Sequence, residues 1–140
     1  MAKLVLTDAV ISVNGVTLSD HADSVTITSS KDLQEVTAFG ASYKSNLVGL
    51  GDATIEVEFQ QDFAAASVDA TLWPLHSANT VFAVEVRPTS AVVSATNPKY
   101  TMAAAVLPEF TPLAGGVGEV SKTSVTFQNA GQTGIVRATA

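Results

Sequence analysis

The sequence predicts a mainly β fold: a β-sandwich of antiparallel strands with one short α-helix. Three observations carry that reading. Several segments of strand length alternate β-branched or aromatic residues with polar ones. A single alanine-rich segment shows helical spacing instead. A chain of 140 residues with no cysteine is long enough to bury one core without disulfides or a metal. We expect one domain spanning residues 1–140, with no internal repeat or linker.

Taken in order, Ile11-Ser-Val and Val16-Thr-Leu18 flank Asn14-Gly15, a dipeptide that favours the type I′ turn of a tight hairpin. Residues 24–28 alternate polar and apolar. Residues 54–60 alternate most cleanly: Ile55, Val57 and Phe59 point one way, and Thr54, Glu56, Glu58 and Gln60 the other. The helical segment, residues 62–76, carries Val68, Leu72 and Leu75 on one face. Asp62 or Ser67 is its candidate cap, and Pro74 should end or kink it near Trp73. Strands then follow at 80–87 (Phe82, Val84 and Val86 inward), 100–110 and 123–127. Residues 31–51 read as a long loop, part of it (33–39) possible strand. Phe39, Tyr43, Leu47, Val48 and Leu50 make it too apolar for an idle solvent loop, and loops above about 12–15 residues are usually functional or disordered. Residues 112–120, with Gly115, Gly116 and Gly118, read as a flexible connection, and 129–140 as an extended C-terminal tail.

Composition narrows the function classes. Thirteen acids against seven Lys and Arg give a net charge of −6, which disfavours ordinary nucleic-acid binding because phosphate contacts need clustered cations. Residues 1–62 carry all of that net charge, implying one acidic face or rim. Charged residues are 14% of the chain, against about 25% in a typical soluble domain, so surface is expected to be hidden against other copies or partners. No apolar run is long enough for a secretory or membrane-spanning segment, so no membrane partner is expected.

Catalytic and ligand motifs are weak. Gly115-Gly-Val-Gly118 and Lys122 resemble a phosphate loop, but Ser121 stands where Gly must precede the Lys, and a strand follows rather than a helix. Asp20-His21-Ala22-Asp23 offers one imidazole between carboxylates, too few ligands for a catalytic metal, and reads as a solvated turn. There is no Gly-x-Ser-x-Gly elbow. Glu56 and Glu58 would need partners across a cleft to act on sugars. Trp73 reads as a core or interface anchor. We expect no enzyme activity, no cofactor and no metal.

The segments Val13-Asn-Gly-Val-Thr-Leu-Ser-Asp20-His21, Val36-Thr-Ala-Phe39-Gly40, Gly49-Leu-Gly-Asp52-Ala-Thr-Ile-Glu56-Val-Glu-Phe59, Thr71-Leu-Trp73-Pro-Leu75 and Ser124-Val-Thr-Phe127-Gln-Asn give the chain a likeness to a known family. With its small acidic β-sandwich and long apolar-and-glycine loop, it resembles the tail tube (major tail) proteins of long-tailed, non-contractile phages. The resemblance implies a structural virion protein made in the host cytoplasm and located in the tail. It implies hexameric rings of self-associated subunits, stacked into a tube whose inner barrel joins one sheet from each copy. It also implies other tail proteins as partners (tape measure, tail terminator, tail tip) and passage of DNA without specific binding. On that reading Thr54, Glu56, Glu58 and Gln60 are the lumen-facing candidates, although a polar strand face could equally look outward. Phe39, Tyr43, Leu47 and Leu50 are the candidates for inter-ring or inter-subunit contact. The first residues and the tail from Asn129 are further candidates for packing on neighbours. Two alternatives stay open: a head–tail joining or head-decoration protein with the same sandwich, and an immunoglobulin-like binding domain.

Overall fold

A computed structural model describes residues 3–140. The expectation that the first residues pack on neighbours falls partly on Met1 and Ala2, which lie outside the described residues.

Asn14 and Gly15 take φ values of +50° and +81°, the left-handed pair that a type I′ turn needs, and join β1 (Val10–Val13) to β2 (Val16–Thr17). A 3-10 turn at Ser19–His21 leads into β3 (Ala22–Glu35), which returns as β4 (Asn46–Gln60). Helix α1 (Val68–Ser77) follows, then β5 (Phe82–Arg87), β6 (Lys99–Val106), β7 (Lys122–Asn129) and β8 (Ile135–Ala138).

All strand pairs are antiparallel, in the order β2-β1-β5-β6-β7-β4-β3, with β8 also on β6. Strand β6 meets β7 only at Ala105↔Asn129 and Val106↔Gln128. Below that junction β6 takes β8 as its partner, from Lys99↔Ala138 to Met102↔Ile135, while β7 stays on β4. The sheet therefore splits into two layers, β2-β1-β5-β6-β8 and β7-β4-β3, folded over one core. Ile55, Val57, Phe59, Val125 and Phe127 from one layer meet Ile11, Val13, Phe82, Val84, Val86 and Met102 from the other. Each such large apolar side chain stabilises by about 1.5–3 kcal/mol on burial. Val68, Leu72 and Leu75 of α1 join the same core, as their spacing predicts.

Three expectations need correction. Residues 31–51 are not a loop: β3 and β4 continue through Lys31↔Gly51, Leu33↔Val48 and Glu35↔Asn46, leaving only residues 36–45 as the connection. A register shift between Lys31 and Leu33 places an extra residue on β4, which masked the strand alternation. The tail from Asn129 is not simply extended, because Ile135–Ala138 forms β8. Of the two candidate caps, Ser67 takes the N-cap position and the helix starts at Val68, because Ala66 at φ +59° breaks helical continuity from Asp62. It runs through Pro74 to Ser77 rather than ending near Trp73. Pro74 and Ala70, whose carbonyl loses its amide partner there, are both exposed, so water can replace the missing bond.

Candidate functional site: a polar sheet face and an apolar hairpin

Strand β4 runs down the middle of the three-stranded layer, so its pleat decides what that layer shows on each side. Ala53, Ile55, Val57 and Phe59 are buried, and Thr54, Glu56, Glu58 and Gln60 share the opposite face. Register adds Ser24, Thr26 and Thr28 of β3 and Lys122, Ser124, Thr126 and Gln128 of β7 to that face. It is a field of hydroxyls and amides carrying a few charges.

The charges are ordered. Lys122 Nζ lies 2.8 Å from Asp23 Oδ2 and 3.6 Å from Glu58 Oε1, and Gln60 Nε2 donates to Asp23 Oδ1 at 2.8 Å. The Lys122 hydrogen bond, helped by Gln60, holds the Asp23 carboxyl below the usual carboxylate range. The same contact, with the nearby charges of Asp23 and Glu58, raises the Lys122 ammonium. The cation of this face is therefore engaged by two carboxylates, while Glu56 has no ion-pair partner among the described residues. The surplus is negative, as the sequence charge asymmetry predicts.

Two strand edges border the layer. β3 ends the sheet order, so one side of a 14-residue strand is unpaired among the described residues. β7 meets β6 only through Gln128 and Asn129, so its edge from Lys122 to Phe127 has no backbone partner other than β4 among the described residues. Long open edges recruit further strands unless something covers them.

Beyond Ala53 the β3–β4 hairpin leaves the body. Every residue from 28 to 52 is exposed, including Leu33, Val36, Phe39, Tyr43, Leu47, Val48 and Leu50. Phe39 and Tyr43 sit in the connecting loop, whereas Leu47 and Leu50 lie on β4. The loop is organised nonetheless: Val36 N donates to Ser45 O at 2.8 Å, Ser45 N to Thr37 Oγ1 at 2.9 Å, and Gly40 turns the chain at φ +87°. An ordered apolar arm with no intramolecular cover is unusual for a solitary soluble domain.

Sequence reasoning missed one cluster. His21, read as part of a solvated turn, is half-buried. Its Nδ1 lies 2.9 Å from Asp20 Oδ1 and its Nε2 2.8 Å from Asp62 Oδ2, with Ser67 Oγ at 3.3 Å from the same Nε2. Separations of 41 and 46 residues hid these contacts; only the acidic neighbours of His21 hinted at them. Ser67, His21 and Asp20 superficially have the order of a hydrolytic triad. Asp62 occupies the nitrogen that would serve the serine, and Ser67 is largely buried at 6% exposure. Trp73, expected in the core or at an interface, is 47% exposed on α1, beside His76 and Phe110 at centroid distances of 5.8 and 6.4 Å. The glycines before Lys122 form a turn, with Gly116 N donating to Glu119 Oε2 at 3.1 Å, and a strand follows.

No family model matches the chain, and no curated protein matches it by sequence. Solved structures do match in fold. A chain of the sheath/tube terminator of PVC, an extracellular contractile injection system, in its extended state superposes with a TM-score of 0.75 at 10% identity, covering 98% of this chain and 97% of its own. A chain of the SPP1 tail tube gives 0.74 at 11% identity, covering 99% and 80%. A chain from the virion of a native gene transfer agent particle gives 0.71 at 13% identity, covering 92% and 95%. This chain thus shares its fold with chains of a contractile injection system, the SPP1 tail tube and a gene transfer agent particle.

Proposed function

We propose that this chain is a structural subunit of a phage-like tail, assembling into stacked hexameric rings that enclose a conduit for DNA. The observation that carries the reading is the β7-β4-β3 layer: polar and weakly acidic on its free face, apolar on the other, and open along both edges. Pairing the β3 edge of one copy with the β7 edge of the next would satisfy both rows of backbone groups and close the layers into a barrel. Thr54, Glu56, Glu58 and Gln60 would then line the bore, where the surplus of carboxylates over cations repels phosphate and lets DNA slide. The apolar arm, with Phe39, Tyr43, Leu47 and Leu50, would reach a neighbouring ring.

Tail location, synthesis in the host cytoplasm, and tape measure, terminator and tip proteins as partners belong to the same proposal. Because the fold neighbours include a contractile system, the fold leaves open whether a sheath surrounds the tube. A second reading, a terminating ring rather than a repeating tube subunit, is favoured by the likeness to chains in terminator and cap assemblies.

The chain has no cysteine, so a single Glu56→Cys substitution gives a clean probe. If Glu56 lines a bore, assembled protein reacts with a small maleimide but not with one carrying a bulky polymer, while dissociated protein reacts with both. Equal reaction with both reagents after assembly would place this face outside and end the lumen assignment.

A further inference from the structure

We infer that His21, Asp20, Asp62 and Ser67 form a proton-operated clasp that ties the entrance of helix α1 to the ends of β3 and β4. The turn bearing Asp20 and His21 immediately precedes β3, and Asp62 closely follows β4. Ser67 is the N-cap residue of α1. Three chain segments therefore converge on one imidazole, at the end of the β3–β4 pair opposite the arm.

A second observation concerns Ser67. It occupies the N-cap position but makes no side-chain cap bond, because its hydroxyl is turned toward His21 Nε2. An N-cap serine normally contributes about 1 kcal/mol by capping. Here that hydroxyl is committed to the clasp instead. Asp62 also fixes the intervening turn: Ala64 N donates to its carboxylate Oδ1 at 2.9 Å, and Asp69 N donates to its backbone carbonyl at 3.1 Å.

The charged groups that bear on the ring are Asp20 and Asp62; Ser67 adds a neutral hydroxyl. The hydrogen bond to Asp62 is the main reason the imidazole is held above its ordinary value, with Asp20 adding to it against some desolvation. With both ring nitrogens protonated, each carboxylate receives a charge-assisted bond. Such bonds are roughly twice as strong as neutral ones. When the ring loses a proton, one N–H remains for two carboxylates and the charge is gone. Either Asp20 or Asp62 then faces a bare nitrogen, and the Ser67 hydroxyl is placed to donate to Nε2. Because the folded pKa is raised, the clasp is at full strength below the unfolded pKa and weakens as pH rises through the folded value. It is a property of the single chain and stands whether or not rings form.

The test is an NMR titration of His21 in the full chain, with hydrogen-exchange protection of the Ala64, Ser67 and Asp69 amides measured across the same range. His21 should titrate above its value in the urea-unfolded chain. Protection of the three amides, corrected for intrinsic exchange, should fall about tenfold for each pH unit separating the two values. In His21→Gln that pH response should vanish; in Asp62→Asn the His21 titration should move down. A His21 titration at or below the unfolded value, or protection that stays constant through it, would overturn the clasp. So would an unchanged response in His21→Gln. The wild-type titration decides the matter even if a variant fails to fold.

Discussion

The rings of Phe82 and Phe127 meet edge to face, centroids 5.7 Å apart and planes at 85°. One comes from β5 and the other from β7, so this contact bridges the two layers at the place where the sheet divides. Both side chains are buried, at 4% and 0% exposure.

Truncating either ring should be costly. Phe127→Ala removes the partner of Phe82 and leaves a cavity between the layers, and we expect a loss of about 3–5 kcal/mol. Urea unfolding of the dilute protein checks this. A loss below about 1 kcal/mol would mean that the layers are not held together there.

The arm should behave in the opposite way. Phe39 and Tyr43 contribute nothing to the core, so a Phe39→Ser, Tyr43→Ser double variant should keep the stability of the free chain within about 0.5 kcal/mol. The same variant should fail to assemble. Thermal melting and light scattering on one sample separate the two effects.

Gly131 is held by close approach rather than by backbone conformation. A Cβ added there would lie 2.8 Å from Ala104 Cβ, across the junction where Ala130 N donates to Ala104 O at 2.8 Å. Gly131→Ala should destabilise by about 1–3 kcal/mol. Pairing it with Ala104→Gly should recover part of that loss, giving a non-additive cycle in denaturant unfolding.

The Asp23–Lys122 contact should show itself in titration more than in stability, since both side chains are solvent-accessible. In Lys122→Gln, the Asp23 carboxyl should titrate closer to its ordinary value, as followed by carboxyl-carbon NMR. Asp23's contribution is present above the unfolded carboxylate pKa and is lost as pH falls through the lowered folded value. Acid unfolding of the variant should therefore depend less on pH in that low range.

Charge on the polar face should govern DNA passage. Glu56→Lys with Glu58→Lys would turn a repelling surface into one that holds phosphate. Assembled variant protein should retain duplex DNA at low salt and release it as salt rises, with about 0.9 added to the logarithmic salt slope for each phosphate engaged. Filter binding on wild-type and variant assemblies checks this.

The sequence made the centre of the fold legible where one physical rule acted alone. Ile55, Val57 and Phe59 alternate without interruption, and all three are buried as that alternation predicts. Asn14-Gly15 named its turn because few other residues tolerate two left-handed positions in succession. Legibility failed where two rules competed. The register shift beside Gly49 and Leu50 broke the alternation of the arm, and its apolar residues have no core to face, so a hairpin looked like a loop. Strand β8 has four residues and is set by β6 rather than by its own pattern. Pro74 argued for a helix end, but its missing bond falls on the solvent side of α1. The polar face could be read from β4 alone. The clasp at His21 could not, because Asp62 and Ser67 reach it only through the fold.

Electron microscopy of the concentrated purified chain tests the central claim most directly. The account predicts stacked rings with an open bore, forming at high concentration and lost in the Phe39→Ser, Tyr43→Ser variant. Particles that remain single copies at every concentration would contradict it, as would a solid filament with no channel along its axis.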